Sequence, residues 1–136
     1  MLAETAPPVV MPDKMPTLRV VPMPSDANQS GDIFGGWIMS QVDIAGGIAA
    51  SRRARGRVVT VSVDSFVFKQ PVFVGDVLSF FTEILSVGRT SMRVDVSVFA
   101  ERNPVHPCTV KVTEAVLTFV AVNQQGEKRE VPSLPG

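Results

Sequence analysis

The sequence predicts an α+β fold in which an antiparallel β-sheet wraps a single helix. Residues 37–54 are apolar around most of a helical circumference, which is typical of one largely buried helix. Several stretches after Gly56 are rich in β-branched and aromatic residues, which favour strands. Short turn-like segments separate these stretches, so we expect the strands to pair mostly as antiparallel neighbours.

The composition is that of one domain without a charged binding surface. The chain has 136 residues, of which 45% are hydrophobic, enough for one core but short for two. Its 13 basic and 13 acidic residues are scattered, which argues against a nucleic-acid partner or an anionic membrane. No segment resembles a signal peptide or reaches the length of a membrane span, and there is a single cysteine. We therefore expect a cytoplasmic protein.

The domain is expected to occupy residues 17–124. Residues 1–16 should form a flexible arm, because repeated prolines remove amide donors and fix the backbone. A short strand within residues 17–24 and a segment dense in turn formers then lead into the helix. Asp32 is expected to cap the start of this helix, and three arginines near Ala54 complement the dipole at its end.

Four long strands should follow the helix, at residues 57–68, 76–87, 91–101 and 108–122. In the third, Val94, Val96 and Val98 alternate with polar residues, so one face should meet the core. Residues 125–136 are expected to form an exposed tail. Because one helix covers only part of such a sheet, we expect a second copy of the chain to bury the remaining apolar surface.

Asp43 is the residue most suggestive of chemistry, because it lies in the middle of the apolar helix between Val42 and Ile44. An ionised carboxylate in dry, unpaired surroundings is costly, so it needs a partner, water or a function. Two interpretations stay open at this point. The carboxylate either bonds neighbouring backbone or faces a solvent groove, or it is a general base or nucleophile.

The pair Gly35 and Gly36 precedes the apolar run, where the first amides of a helix lack intrahelical acceptors. Such N–H groups are able to stabilise the charge that develops on a carbonyl oxygen under attack, and the missing side chains let a substrate approach. Glycine pairs also mark turns and tight packing, and that alternative stays open.

Asn28 offers both an amide donor and an acceptor, which suits the positioning of a water molecule or a carbonyl group. The alternative is an asparagine that stabilises a turn. Asn28 precedes the helix whereas Asp43 lies in its middle, so the two residues should be too far apart within one subunit. We expect them to meet only across a dimer.

The sequence offers few residues for other kinds of catalysis. The only histidine, His106, lies between prolines in a loop and is expected at the surface, which leaves no histidine for a triad or a metal site. Cys108 starts an apolar strand and is expected to be a buried structural thiol. Neither a metal nor a cofactor is expected.

A phosphate-binding surface is a further candidate at the turn formed by Gly88, Arg89, Thr90 and Ser91. This turn combines a cation with hydroxyls and exposed amides. Arg57, just past the helix, is a second cation that is a candidate for binding a phosphate. A plain hairpin turn and an ordinary surface arginine are the alternatives.

Two long segments carry a family resemblance. Residues 28–47, NQSGDIFGGWIMSQVDIAGG, followed by residues 56–76, GRVVTVSVDSFVFKQPVFVGD, resemble the YciA-like acyl-CoA thioesterases of the hotdog superfamily. The resemblance runs from about residue 23 to residue 122 and includes VGRTS and VTEAVLTFVAV. The combined pattern is specific, although each piece alone is not.

The resemblance implies a hotdog fold with a long central helix wrapped by a curved antiparallel sheet. Two subunits would form a continuous sheet, and three such dimers often form a hexamer in this family. The implied reaction is hydrolysis of acyl-CoA to free acid and coenzyme A, with no cofactor apart from the CoA of the substrate.

The resemblance also implies roles for individual residues. Asp43 would act as general base or nucleophile, Asn28 would come from the opposite subunit, and the amides of Gly35 and Gly36 would form the oxyanion hole. Thr60 would lie close to this site. Arg89 with Ser91 would bind the CoA portion, to which the residue chemistry described above adds Gly88, Thr90 and Arg57 as candidates.

Two other functions compete with thioester hydrolysis. A hotdog dehydratase normally needs a histidine beside its acid, and this chain offers only His106. A non-catalytic hotdog module would bind acyl-CoA in the same groove without turnover. The enzyme is favoured because all the apparent catalytic positions are present.

Overall fold

The computed structural model describes residues 9–134. Within that range it contains one long helix, α1 (Gly35–Ala54), a short 3-10 turn at Pro24–Asp26, and the strands β1 (Leu18–Val20), β2 (Val58–Phe68), β3 (Val77–Val87), β4 (Ser91–Arg102) and β5 (Cys108–Ala121). The expected α+β hotdog fold is therefore confirmed. None of the described helices is both long and apolar enough to cross a membrane.

The sheet has the strand order β1-β3-β4-β5-β2, and every neighbouring pair is antiparallel. Strands β3, β4 and β5 pair consecutively, as short turns require. Strand β2 instead pairs with β5, and residues 69–76 carry the chain away from it to β3 on the other side of the sheet. Pairing with the next strand along the chain is thus wrong for β2, which is an edge strand of the sheet in the described part of the chain.

The core lies between α1 and one face of the sheet. Val94, Val96 and Val98 are fully buried there, whereas Arg93 on the other face is exposed, so the expected alternation is confirmed. On the helix side, the buried positions recur with helical spacing at Ile38, Val42, Ala45, Gly46, Ala50 and Ala54. Small residues in this set let the helix approach the sheet closely.

The start of α1 differs from the prediction, whereas its end agrees with it. Phe34 is the N-cap and makes no side-chain cap bond, so the prediction that Asp32 caps the helix is wrong. The backbone of Asp32 instead bridges to Phe73 and thereby ties the preceding loop to residues 69–76. At the other terminus, Arg55 adopts a left-handed conformation with φ 54° and donates its backbone N–H to Ser51 O.

Two peripheral expectations need correction. Cys108 is exposed rather than buried, because it is the last rung of the β4–β5 ladder, opposite Arg102. The tail is not wholly exposed: Val131 packs against the core, its N–H donates to Arg89 O at 2.8 Å, and Arg53 donates to the carbonyl of Pro132 at 2.6 Å. The tail thus covers the end of α1.

The N-terminal arm is described only in part, because residues 1–8 lie outside the described range. Lys14 Nζ donates to the carbonyl of Thr82 at 3.4 Å, which places this portion of the arm against β3. The flexibility of residues 1–16 and the domain limits stay predictions.

Two adjacent glycines of α1 offer a matched test of this packing. A Cβ at Gly46 would lie 3.0 Å from two ring carbons of the buried Phe119, whereas a Cβ at Gly47 would lie 3.7 Å from that ring. We expect Gly46→Ala to lower the free energy of unfolding by about 1–3 kcal/mol through overpacking. Gly47→Ala should raise it by up to about 1 kcal/mol, since alanine favours the helix. Urea unfolding would measure both changes, and equal effects would contradict the packing described.

Candidate active site

Asp43 and Thr60 form a hydrogen-bonded pair between α1 and β2. Thr60 Oγ1 donates to Asp43 Oδ1 at 2.6 Å, and both residues are exposed in the single chain. In one subunit Asp43 therefore has both a side-chain partner and access to solvent. It lies on the side of α1 next to the edge strand, where the sheet formed by residues 9–134 ends.

The exposed face of α1 around Asp43 is apolar. Met39, one turn earlier, is 42% exposed and Ile44 is 48% exposed. Strand β2 continues this surface with Val61 and Val63, which are 53% and 47% exposed. Large contiguous apolar surface of this kind marks an interaction site. The carboxylate of Asp43 therefore stands within a strip of apolar surface along the free edge of the sheet.

The start of α1 presents free amides. The first backbone bonds of the helix come from Trp37 N and Ile38 N, both to Phe34 O, and in residues 9–134 no backbone acceptor pairs with the N–H of Gly35 or Gly36. A Cβ at Gly36 would meet open space, whereas a Cβ at Gly35 would lie 3.2 Å from Cζ of Phe68. Tight packing thus accounts for Gly35 but not for Gly36.

Asn28 uses one half of its amide within its own loop. Its Oδ1 accepts from the backbone N–H groups of Ser30 and Asp32 at 2.9 and 3.1 Å, so the turn-stabilising role is observed. The Nδ2 group has no protein acceptor in the described part of the chain. Asn28 therefore keeps a donor available while its acceptor holds the loop.

Asn28 and Gly35 line one groove of about 380 Å³, whose floor is formed by Ile33, Ile38 and Val72. Asp43 does not line this groove. With a rise of about 1.5 Å per residue, Asp43 stands roughly 12 Å further along the helix than Gly35. One chain thus holds the two halves of the candidate site apart, in agreement with the expectation for Asn28 and Asp43.

The candidate CoA-binding residues lie at the end of the sheet where β2 begins. The turn of residues 88–91 is closed by the Gly88 N–H, which donates to Ser91 O at 2.8 Å, so it is a plain hairpin. Arg89 is exposed, and its guanidinium nitrogen lies 3.9 Å from a carboxylate oxygen of Glu130. An exposed ion pair at this distance contributes little to stability. Arg57 donates to the carbonyl of Gln124 at 3.1 Å and is also exposed.

Asp64, on β2, is a second carboxylate near this edge of the sheet, and the sequence did not point to it. It accepts from Ser62 at 2.7 Å, from Thr118 at 2.6 Å and from Arg93 at 3.4 Å. These hydroxyl bonds, with a smaller contribution from the guanidinium, lower its pKa. Because irregular register in β2 brings it to these partners, no local sequence signal pointed to it.

The single histidine lies in the loop between β4 and β5. His106 is exposed, as expected, and its backbone N–H bonds to Asn103 Oδ1. In residues 9–134, no three histidine, cysteine or acidic side chains come together in a way that could hold a metal ion.

Comparisons with known proteins show the family of this chain. The family described as the thioesterase superfamily matches residues 30–105. An uncharacterized acyl-CoA thioester hydrolase of Haemophilus influenzae is 49% identical over 117 residues, which cover 85% of this chain and 76% of the relative. The acyl-CoA thioester hydrolase YciA of Escherichia coli is 44% identical over 117 residues, with 85% and 89% covered. The chain belongs to the thioesterase superfamily.

A solved structure extends this assignment to three dimensions. The hexameric hotdog fold thioesterase of Campylobacter jejuni superposes with a TM-score of 0.84 at 45% identity, and the match covers 88% of this chain and 91% of that chain. The present chain therefore shares the hotdog fold with the Campylobacter jejuni thioesterase over most of its length.

The bonds to Asp64 generate a pH prediction. Because its native pKa lies below the ordinary value of 3.8, ionised Asp64 stabilises the fold above that pH, and the contribution is lost as pH falls through the native pKa. We expect Thr118→Val to raise the pKa of Asp64, as followed by carbon NMR of its carboxyl. Thr109→Val, on the same strand, is the control. An unchanged pKa in Thr118→Val would show that this hydroxyl does not stabilise the charge.

Proposed function

We propose that this protein is an acyl-CoA thioesterase that hydrolyses acyl-CoA to free acid and coenzyme A. One observation carries the proposal: Thr60 holds a single oxygen of the Asp43 carboxylate on an open apolar flank. The other oxygen is left to act on a substrate. No cofactor is part of the proposal, apart from the CoA of the substrate.

Asp43 would serve as general base for a water molecule or attack the thioester carbon directly. The Thr60 hydroxyl fixes the carboxylate, and Oδ2 has no protein partner in the described range. A thiol has an ordinary pKa of about 8.5, so coenzyme A leaves as a thiolate without strong protonation. A catalytic histidine is therefore unnecessary, in keeping with the exposed position of His106.

The amides of Gly35 and Gly36 would form the oxyanion hole. Free N–H groups at a helix start point along its axis, and the helix dipole adds partial positive charge there. Both features favour the negative oxygen of a tetrahedral intermediate. Asn28 lines the same groove, and its Nδ2 donor would hold the thioester carbonyl or the attacking water.

Two copies of the chain would assemble the complete site. Two β2 edges related by a twofold axis must pair antiparallel, so the Phe68 end of one strand meets the Thr60 end of the other. Gly35 lies at the Phe68 end, and Asp43 lies at Thr60. Pairing would thus bring Asp43 of one copy to Gly35 and Asn28 of the other, and would bury the exposed valines of β2.

We propose that three such dimers form a hexamer, as the Campylobacter jejuni relative is hexameric. Like-for-like pairing of β2 accounts for the dimer, and the close similarity over the domain supports the larger assembly. A cytoplasmic location completes the proposal, since the exposed thiol of Cys108 suits a reducing compartment.

The CoA phosphates would bind where cations gather around the start of β2. Arg52 and Arg53 end α1, while Arg57 and Arg89 flank the same end of the sheet. Thr90 and Ser91 add hydroxyls, and Gly88 lets a phosphate approach the turn without a side chain in the way. Arg57 stands three residues before Thr60, so this charge lies close to Asp43 along the strand.

The catalytic role of Asp43 has a direct test. We expect Asp43→Asn to lower kcat by about 10²–10⁴-fold, because the amide keeps the shape but cannot accept the proton. Thiol release from a panel of acyl-CoAs would measure it, with Asp13→Asn as the control. Wild-type rates in Asp43→Asn would contradict the mechanism. Tight acyl-CoA binding without any turnover by the wild type would favour the non-catalytic module instead.

The shared site has a separate test in hybrid oligomers. Asp43→Asn and Asn28→Asp should each be inactive alone, and Asn28→Asp retains the acceptor that holds its loop. A mixed dimer would contain one intact site, so unfolding and refolding the two variants together should restore about a quarter of wild-type activity. If both residues acted within one chain, no hybrid would contain an intact site, and activity would stay absent.

A further inference from the structure

The segment of residues 69–76, between β2 and β3, contributes one wall of the groove beside the helix start. It also pairs with the loop that precedes α1. Ile33, two residues before the helix, donates its backbone N–H to Val72 O at 2.8 Å, and the backbone of Asp32 bridges to Phe73. The position of this segment therefore helps to set the position of the first turn of α1, where the oxyanion hole is proposed.

A buried ion pair holds the segment in turn. Arg102, the last residue of β4, donates from Nη2 to Asp76 Oδ2 at 2.9 Å and to the carbonyl of Pro71 at 3.1 Å. Asp76 Oδ2 also accepts the backbone N–H of Phe73 at 3.0 Å, and the guanidinium lies over the Phe73 ring, 5.0 Å from its centroid. Asp76 is only 3% exposed. The two charges thus fix the segment at both of the residues that flank Val72.

Stability alone does not account for this pair. A buried ion pair is often no more stabilising than two apolar side chains of similar volume, because both charges lose their water. Arg102 bears an additional cost, since its Nε is buried and has no hydrogen-bond partner among residues 9–134. Apolar side chains, however, could not bond the backbone at Pro71 and Phe73. The contribution specific to the charged pair is therefore the position of the segment.

We propose that Asp76 and Arg102 are positioning residues for thioester hydrolysis. They would hold residues 71–73, and through Ile33 the first turn of α1, so that the proposed oxyanion hole keeps its place beside the groove. Neither residue lines the groove, so both would act through the backbone and not by contact with the substrate. The proposal rests on the thioesterase function.

Single substitutions test the effect on the reaction. Asp76→Leu and Arg102→Met should each lower kcat for acyl-CoA hydrolysis by about 10–10²-fold, because a misplacement of about 1 Å costs up to about 10²-fold. KM should change little, since an oxyanion hole acts mainly in the transition state. Ile84→Ala is the control: it removes packing from the core, and Ile84 does not line the groove. Its kcat should match the wild type at a temperature where every variant is folded.

The double variant separates positioning from stability. Asp76→Leu with Arg102→Met leaves no unpaired buried charge, so its urea midpoint should exceed that of either single variant. Its kcat should nevertheless stay as low as theirs, because neither apolar side chain bonds the backbone at Pro71 or Phe73. The double variant also carries the test if a single variant does not fold.

Three results would overturn the proposal. One is a wild-type kcat in the folded variants. Another is a kcat that recovers in the double variant together with its stability, which would make the pair a structural element only. The third is a rise in KM with unchanged kcat, which would assign the pair to substrate binding.

Amide hydrogen exchange separates the positioning from the function on which it rests. The Ile33 N–H, bonded to Val72 O, should exchange faster in the double variant than in the wild type, and Ile84→Ala should not show this local change. If the wild type hydrolyses no acyl-CoA while Ile33 exchange rises, the proposed function fails and the pair still positions the helix start. If turnover is normal and Ile33 exchange is unchanged, the positioning role is wrong.

Discussion

The free edge of β2 is the constraint on which the rest of this structure depends. Because β2 pairs with β5 and not with β3, one side of the strand has no partner strand among residues 9–134, and the same residues leave the neighbouring side of α1 uncovered. An apolar edge of this kind is a liability for an isolated chain. In the proposed dimer a second copy pairs with this edge. The pairing would also bring the start of α1 in one copy next to the middle of α1 in the other, where Asp43 lies.

The environment of Asp43 follows from that edge. In one chain the carboxylate is exposed to solvent, and Thr60 is its one side-chain partner among residues 9–134. In the proposed dimer it would lose much of that water, at a cost that the Thr60 hydroxyl and the second copy's donors must offset. The resulting low-polarity setting would strengthen each remaining electrostatic interaction with a developing charge. Asp43 is thus compatible both with the exposed surface of one chain and with the proposed interface.

The other half of the site depends on close packing at the helix start. Gly35 lets Phe68 touch the helix, while Gly36 stays open and leaves an amide accessible. Asn28 holds the preceding loop with its oxygen and keeps its nitrogen free. A few contacts therefore set the backbone of the loop before α1 and the position of the Phe68 ring together. A change at Gly35 would disturb the groove even though glycine itself contributes no functional side chain.

Much of this protein was predictable from the sequence, because the patterns that specify it are local. Apolar periodicity predicted α1, β-branched runs predicted the strands, and the contiguous segment of residues 28–47 indicated the family. Tertiary structure alone decided that β2 pairs with β5, that Asp43 is exposed in one chain, that Cys108 ends a ladder in solvent, and that Asp64 meets Thr118. Each depends on which distant segments become neighbours. Strand order and side-chain burial are set by the packing of the whole sheet, and no short stretch of sequence records that packing.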